Sequence, residues 1–244
     1  MMDKERIDKV LLDLKLCDSR TKAQSLVKSG MVLVNNVVVN KPNKIVSFDD
    51  KIEIISDPCP WVSRAGLKLS SAIKKLNINI KKDSICLDIG ASTGGFSDVL
   101  LSHGVKQIFA VDVGYSQLHD KIRNNEKVVV LEKTDARDLN DGFIPPIDIL
   151  VCDVSFVSVL KIIEKPLDLL KAGGLLIVLI KPQFEVGKQN IGKGGIVKNE
   201  KSVLEAIKKI EMYFSSKCKI NSVIPCELKG TDGNQEYIMY AIKN

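Results

Sequence analysis

Leu87-Asp88-Ile89-Gly90-Ala91-Ser92-Thr93-Gly94-Gly95-Phe96 is the stretch on which the fold turns. The residues leading into it, 84–89, form an apolar run of strand length, as expected of a strand covered on both faces. Gly90, Gly94 and Gly95 then make a turn, and 95–103 has the pattern of a helix. Strand, glycine-rich turn and helix in that order open a doubly wound α/β domain, in which ligands bind at the carboxyl ends of the strands. The turn also narrows the ligand class. A dinucleotide fingerprint, G-x-G-x-x-G, would need glycine at 90, 92 and 95, but position 92 is serine. The glycine replaced is the one that lets a pyrophosphate approach the backbone. A nucleoside cofactor without a pyrophosphate fits better than NAD, and S-adenosylmethionine is such a cofactor.

Working outward, further strands are expected at 107–112, 128–131, 147–153, 175–180, 222–227 and 236–242, alternating with helices at 64–76, 116–124, 157–171 and 200–216. This predicts an α/β domain with a seven-stranded, Rossmann-like sheet whose last two strands pair as a hairpin. Carboxylates recur at the strand ends. Asp88 and the turn residues Gly90, Ser92, Gly94, Gly95 and Phe96 are expected to hold the amino-acid end of the cofactor. Asp112 ends the next strand, and its two oxygens suit the two hydroxyls of a ribose. Asp135 follows the third strand and is expected to meet the adenine amino group. Asp153 closes the fourth, at the edge of the same cleft, and is also expected to bind the cofactor.

The whole chain limits the remaining possibilities. Its 244 residues suffice for one ordinary domain and a small one. The net charge of +6 leans weakly towards a polyanionic partner, and 5% aromatic residues are too few for base stacking to be the main means of holding a strand. Lysine and arginine cluster at 63–82, and lysine outnumbers glutamate over 188–209. Six scattered cysteines without a C-x-x-C pair, and two histidines without metal-ligand neighbours, predict reduced thiols and no metal site. No apolar run approaches the ~20 residues that span a bilayer. A soluble, cytoplasmic protein is expected.

Residues 1–57 form a separate unit in this reading. Ile7, Val10, Leu11, Leu14 and Leu16 mark one helix; a second fits 20–28, capped by Asp18 or Ser19 and stopped at Gly30. Short strands follow at 31–34, 37–39, 45–46 and 51–55, with Asn35-Asn36 in the tight turn between the first two. The unit is thus small and α+β. Residues 58–63, containing Pro58 and Pro60, are a stiff linker, and 64–244 is the α/β domain.

The chemistry centres on two strand ends, Asp153 and Lys181. A lysine at the end of an apolar strand is costly unless paired, so contact between the two is expected. Methyl transfer to an alcohol needs a base, because a hydroxyl must lose its proton as it attacks. Lysine can serve where desolvation or a second cation lowers its pKa. Lys68 is the candidate second cation, and Glu236 is placed to orient a lysine.

These residues resemble a known family. Ser63-Arg64-Ala65-Gly66-Leu67-Lys68-Leu69, Asp88 to Phe96, Asp153, and Lys181-Pro182-Gln183-Phe184-Glu185 are similar to FtsJ-type ribosomal RNA ribose 2′-O-methyltransferases, a class I methyltransferase fold. The resemblance implies a Lys-Asp-Lys-Glu tetrad at Lys68, Asp153, Lys181 and Glu236. In it Lys181 is the base or its immediate activator, Asp153 and Glu236 orient it, and Lys68 positions the ribose. Arg6-Ile7-Asp8-Lys9-Val10-Leu11, Ser19 to Ala23 and Gly30 to Asn35 are similar to the S4 RNA-binding domain. The two together, with Trp61-Val62-Ser63-Arg64 between them, resemble the hemolysin A (TlyA) family, which implies 2′-O-methylation of cytidine in ribosomal RNA within a ribosomal subunit. RNA contacts are expected from Arg6, Lys9, Arg20, Lys22, Lys28 and Arg64. Two other classes compete: a non-catalytic RNA-binding assembly factor with a vestigial cleft, and a membrane-active hemolysin.

Overall fold

The computed structural model describes residues 4–28, 30–54, 59–230 and 232–244. Contacts within the chain divide it into two compact units, Met1–Pro60 and Trp61–Asn244.

In the first unit β1 (Lys4–Arg6) leads into α1 (Ile7–Asp13) and α2 (Arg20–Lys28), followed by β2 (Val32–Val34), β3 (Val37–Val39), β4 (Ile45–Ser47) and β5 (Ile52–Ile54). β1 pairs with β4, and β3-β2-β5 form an antiparallel sheet. Ile7, Val10, Leu11, Ala23, Leu26, Val27, Val32, Val34, Val39 and Val46 make one core. Ser19 Oγ accepts from the Lys22 amide, as an N-cap should. Asn35 and Asn36 take the two positive-φ positions of the β2–β3 turn. Two expectations are corrected. The first helix stops at Asp13, because Lys15 adopts a left-handed conformation, and Leu14 and Leu16 are exposed, not part of the stripe. β1 was not expected. Ile55, at the end of the expected strand 51–55, and Pro58 of the anticipated linker lie outside the described residues.

The second unit begins with α3 (Arg64–Lys75) and alternates through β6 (Ile85–Ile89), α4 (Gly95–Ser102), β7 (Gln107–Asp112), α5 (Asp120–Arg123), β8 (Val128–Glu132), β9 (Ile147–Cys152), α6 (Glu164–Leu169), β10 (Leu170–Ile180), α7 (Pro182–Glu185) and α8 (Glu200–Ser215) to β11 (Cys218–Pro225) and β12 (Tyr237–Lys243). The seven strands lie in the order β11-β12-β10-β9-β6-β7-β8. β10 to β8 run parallel, and β12 inserts antiparallel between β10 and β11. Near-continuous apolar strands are what such a sheet needs: one layer packs Leu69, Phe96, Leu100, Ile108 and Ile177, the other Leu150, Val178, Ile210 and Phe214.

Two helices differ from expectation. The span 157–171 is a 3-10 turn at Val159–Lys161 and then α6, because Pro166 cannot sit in a helix interior and is accommodated in the first turn of a new one. The span 116–124 shortens to α5. Ser116 is left-handed, the Gln117 amide donates to Glu132 Oε1, and His119 Nδ1 caps α5 from outside. No helix among the described residues is long and apolar enough to cross a membrane, and no group of three potential metal ligands occurs among them.

Phe214, on the core-facing side of α8, is fully buried. Phe214→Ala is expected to cost about 3–5 kcal/mol in denaturant unfolding; a loss under about 1 kcal/mol would contradict this packing.

Candidate active site

The carboxyl ends of β6, β7, β8 and β9 border one cleft of about 520 Å³. Its polar rim is Gly90, Ser92, Asp112, Gly114, Gln117, Thr134, Asp135, Arg137 and Ser155; Ile89, Val111, Ala136, Val154 and Ile162 supply an apolar floor. A flat apolar surface edged by carboxylates and backbone amides is suited to a nucleoside.

The stretch from Asp88 to Phe96 divides its labour. Gly90 and Ser92 line the cleft. Gly90 has φ +77°, and a Cβ there would stand 2.5 Å from the carbonyl oxygen of Asp153. Ser92 is itself left-handed, and its amide donates to Asp112 Oδ2 at 2.8 Å. The rest of the expected contacts in the stretch lie outside the lining of this cleft. A Cβ on Gly94 would meet Ile122 at 2.9 Å. Gly95 meets Gly66 where α4 crosses α3, and a Cβ on Gly66 would lie 2.9 Å from the Gly95 carbonyl. Phe96 is in the core. Asp88 has no exposed surface; its Oδ2 accepts from Ser97 Oγ at 2.7 Å, and its Oδ1 has no partner among the described residues. Burial, reinforced by the nearby Asp153 and Asp112 charges, pushes its pKa up to about 7.

Asp112 laces two loops together, accepting from the Gly114 amide at 2.7 Å with the oxygen that Ser92 leaves free. Each oxygen keeps a lone pair for a further donor. Asp135 caps a short turn and is gripped by Arg137, whose Nη2 lies 2.6 Å from Oδ2; these bonds hold its pKa down at about 2. Its carboxylate is thus committed to Arg137 within the cleft wall.

Beside the cleft stand two lysine–carboxylate pairs. Lys181 Nζ is 2.6 Å from Asp153 Oδ1 and donates to Ser155 Oγ at 2.7 Å. Lys68 pairs with Glu236, both largely buried. The Cys226 thiol, pushed up to about 12 chiefly by burial, feels the charges of Lys68, Glu236 and Asp153, so both pairs surround one region. The expected Asp153–Lys181 contact is present. Glu236, expected to orient Lys181, instead holds Lys68 of α3 from the residue just before β12. Lys68 also lines a second cavity of about 490 Å³ with Leu67, Ser70, Ser71, Lys74 and Glu227.

Ser155 and Phe156 received no role from the sequence, although both directly follow the strand end at Asp153. Phe156 is 91% exposed, has φ +69°, and its ring lies tilted by 51° against that of Phe184, centroids 5.3 Å apart. A bulky exposed side chain in a left-handed conformation is a strained arrangement that clusters at functional sites.

In the first unit Arg6 and Arg20 converge on one buried carboxylate. Arg6 Nε and Nη2 each donate to Asp8 at 2.9 Å, Arg20 Nε approaches at 3.3 Å and Gln24 donates at 2.9 Å. These donors hold the Asp8 pKa down at about 2 against the opposing effect of burial. Lys9 pairs with Glu5 at 3.1 Å. Lys28 is exposed at the end of α2 and Arg64 at the start of α3, while Lys22 is half-buried. The arginines are therefore gathered by Asp8, and the lysines are not gathered with them.

The buried Asp88 carries a pH signature. Its folded pKa of about 7 lies above the ordinary 3.8, so the native state holds a proton that the unfolded chain releases between those values. Stability should therefore fall as pH rises through this window, by a contribution on the order of 4 kcal/mol. Asp88→Asn should flatten that fall in unfolding curves from pH 4 to pH 8; an unchanged pH profile would contradict the assignment.

The FtsJ-like methyltransferase family model matches residues 61–243, and the S4 domain model matches residues 5–52. Hemolysin A of Brachyspira hyodysenteriae is 40% identical, over 97% of this chain and 99% of its own length. The 16S/23S rRNA (cytidine-2′-O)-methyltransferase TlyA of Mycobacterium tuberculosis is 36% identical, over 98% of this chain and 90% of its own. A solved structure from Streptococcus thermophilus, named for hemolysin, superposes with a TM-score of 0.77 at 31% identity, covering 100% of this chain and 90% of that one. With three quarters of its length under one family model and an S4 domain before it, the chain belongs to the FtsJ-like methyltransferase family.

Proposed function

We propose that the protein transfers a methyl group from S-adenosylmethionine to the ribose 2′-hydroxyl of a nucleotide, a cytidine by likeness to its curated relatives, in ribosomal RNA within a ribosomal subunit. The observation that carries this reading is the pair of lysine–carboxylate contacts standing beside a nucleoside-shaped cleft. Bound there, S-adenosylmethionine supplies a methyl group on a sulfonium centre. The chain's residues do the rest. Gly90 and Ser92 let the ligand lie against the backbone, and Asp112 takes the ribose hydroxyls through its spare lone pairs. Asp135 and Arg137 close the base end of the cleft.

A ribose hydroxyl is a poor nucleophile and sheds its proton as it attacks. In this reading Lys181 first releases one proton to solvent, then takes the hydroxyl proton on its neutral Nζ and returns to the ammonium that pairs with Asp153. Asp153 and Ser155 hold the lysine side chain in one orientation. Lys68, held by Glu236 and open to the second cavity, steadies the incoming ribose. The exposed ring of Phe156 offers a face to a base beside the Lys181 site. Residues 1–57 serve as the RNA-binding domain, 58–63 as its connection and 64–244 as the methyltransferase. Arg6 and Arg20, oriented by Asp8, make phosphate contacts with Lys9, Lys22, Lys28 and Arg64. A ribosomal substrate implies a cytoplasmic protein, and the mechanism calls for no metal.

The test is incubation of the full chain with labelled cofactor and separated ribosomal subunits, followed by mapping of 2′-O-methyl groups. Lys181→Ala should lower the transfer rate by about 10²–10⁴-fold and leave cofactor affinity by calorimetry within about twofold, since Lys181 lies outside the cleft lining. Full activity in the variant would rule out the lysine as proton acceptor, and absence of transfer by the wild type would rule out the reaction. Asp112→Ala should weaken cofactor binding by about 10–100-fold, the worth of hydrogen bonds to a charged group.

A further inference from the structure

We infer that residues 187–198, the loop between α7 and α8, form a clamp that grips the RNA phosphodiester backbone beside the target ribose through Lys188, Lys193 and Lys198. The inference rests on the ribosomal RNA methyltransferase reading and adds to it an element that holds the substrate.

The first observation is charge. From Gly187 to Asn199 there are three lysines and no acid. All three are exposed, and none meets a carboxylate among the described residues. Most other cations near the site differ in this respect: Lys68, Lys181 and Arg137 are each held by an acid. A lysine without an internal partner keeps its charge available to an external one.

The second is order. The loop is a folded hairpin with 3-10 turns at Lys188–Asn190 and Lys193–Gly195 and an antiparallel bridge from Ile191 to Val197. The Gly192 amide donates to the Ile196 carbonyl at 2.9 Å. Asn234, itself buried, spends its whole carboxamide on the loop and its own turn. Nδ2 donates to the Gly195 carbonyl and to Asp232 Oδ2, each at 2.9 Å, and Oδ1 accepts from the Val197 amide at 2.9 Å. Ordering is therefore largely complete before any ligand arrives, which lowers the cost of binding.

The third is position. Asn234 stands two residues before Glu236, and Gly230 approaches Glu236 so closely that a Cβ there would lie 2.6 Å from Oε1. Asp232 Oδ2 also accepts from Gln183 Nε2 at 3.2 Å, and Gln183 stands two residues after Lys181. The hairpin is thus tied to the segments bearing both Lys181 and Glu236. A polymer whose ribose reaches those residues therefore comes close to this loop.

The composition selects the part of RNA that is held. The loop carries no aromatic residue on which a base could stack. Lysine ammoniums are point charges that match phosphates, and such contacts position a strand without reading its sequence. Gly194 and Gly195 are left-handed, with nothing within 4 Å of where a Cβ would stand, so the hairpin tip is open to close approach.

The experiment compares the wild type with Lys188→Gln/Lys193→Gln/Lys198→Gln and with the triple lysine-to-arginine variant. Separated ribosomal subunits are the probe, and Kd is measured over a salt series beside methyl transfer. The glutamine variant should bind the substrate subunit at least ~tenfold more weakly. The slope of log Kd against log salt should shrink by about 2, three contacts at about 0.7 each. kcat and S-adenosylmethionine affinity should stay within about twofold, and the arginine variant should retain wild-type binding. Unchanged Kd and salt slope in the glutamine variant would overturn the clamp, as would equal failure of the arginine variant. A wild type that binds subunits but transfers no methyl group refutes the reaction, while the clamp is still decided by Kd. A wild type that does neither refutes both.

Discussion

Ile89, Gly90 and Asp153 meet at a point where no side chain intervenes. The Asp153 amide donates to the Ile89 carbonyl at 2.9 Å, and the Gly90 amide donates to Val111 at 2.9 Å, so the ends of β9, β6 and β7 are laced together. Gly90 is the only residue type that fits, because its φ is left-handed and a Cβ would strike the Asp153 carbonyl at 2.5 Å. One side of this junction is the cleft wall formed by Gly90 and Ser92, and the other is the Asp153–Lys181 pair. Any displacement there would move the cleft relative to the lysine, so the spacing of the site follows from backbone packing rather than from the reach of flexible side chains.

The same edge of the sheet concentrates negative charge. Asp88, Asp112 and Asp153 lie close enough that the latter two raise the proton affinity of the first. Three carboxylates near one another are costly unless a cation joins them. Lys181 neutralises one of them. A sulfonium ligand would supply the next positive charge, whereas a pyrophosphate would add repulsion. The serine at position 92 and this charge pattern are independent observations, one steric and one electrostatic, and both disfavour a dinucleotide.

How much of this was legible follows from the kind of signal each feature leaves. The seven strands were legible because a doubly covered sheet demands apolar runs, and the Asp153–Lys181 contact because both residues end adjacent parallel strands. The break at Pro166 was also written in the chain but was read through as one helix. The Lys68–Glu236 partnership was not legible, since it joins residues 168 positions apart whose meeting depends on β12 inserting between β10 and β11. The glycines misled in another way. A glycine spared for a ligand and a glycine spared for a neighbouring helix look alike in sequence, and only the Gly66–Gly95 crossing separates the two uses. Leu14 and Leu16 kept helical spacing one turn beyond the point where Lys15 ends the helix.

Ion pairing also sorts the lysines of the second unit by task. A lysine meant to handle a proton or place a ribose must be held still, and Lys181 and Lys68 are each largely covered and held by a carboxylate. A lysine meant to hold a polyanion gains nothing from an internal acid, which would have to be displaced before the phosphate could bind. Lys188, Lys193 and Lys198 lie on a segment with no acid, and the one acid tied to their loop, Asp232, acts on its backbone through Asn234 and not on the ammoniums. The arginines around Asp8 show a mixed solution in the first unit. There a buried carboxylate orients two guanidiniums, and because each guanidinium has five donors, some remain for an outside phosphate after Asp8 is satisfied. Lysine's single ammonium offers less room for that division, so Lys68 and Lys181 are paired while the lysines of the loop meet no acid among the described residues.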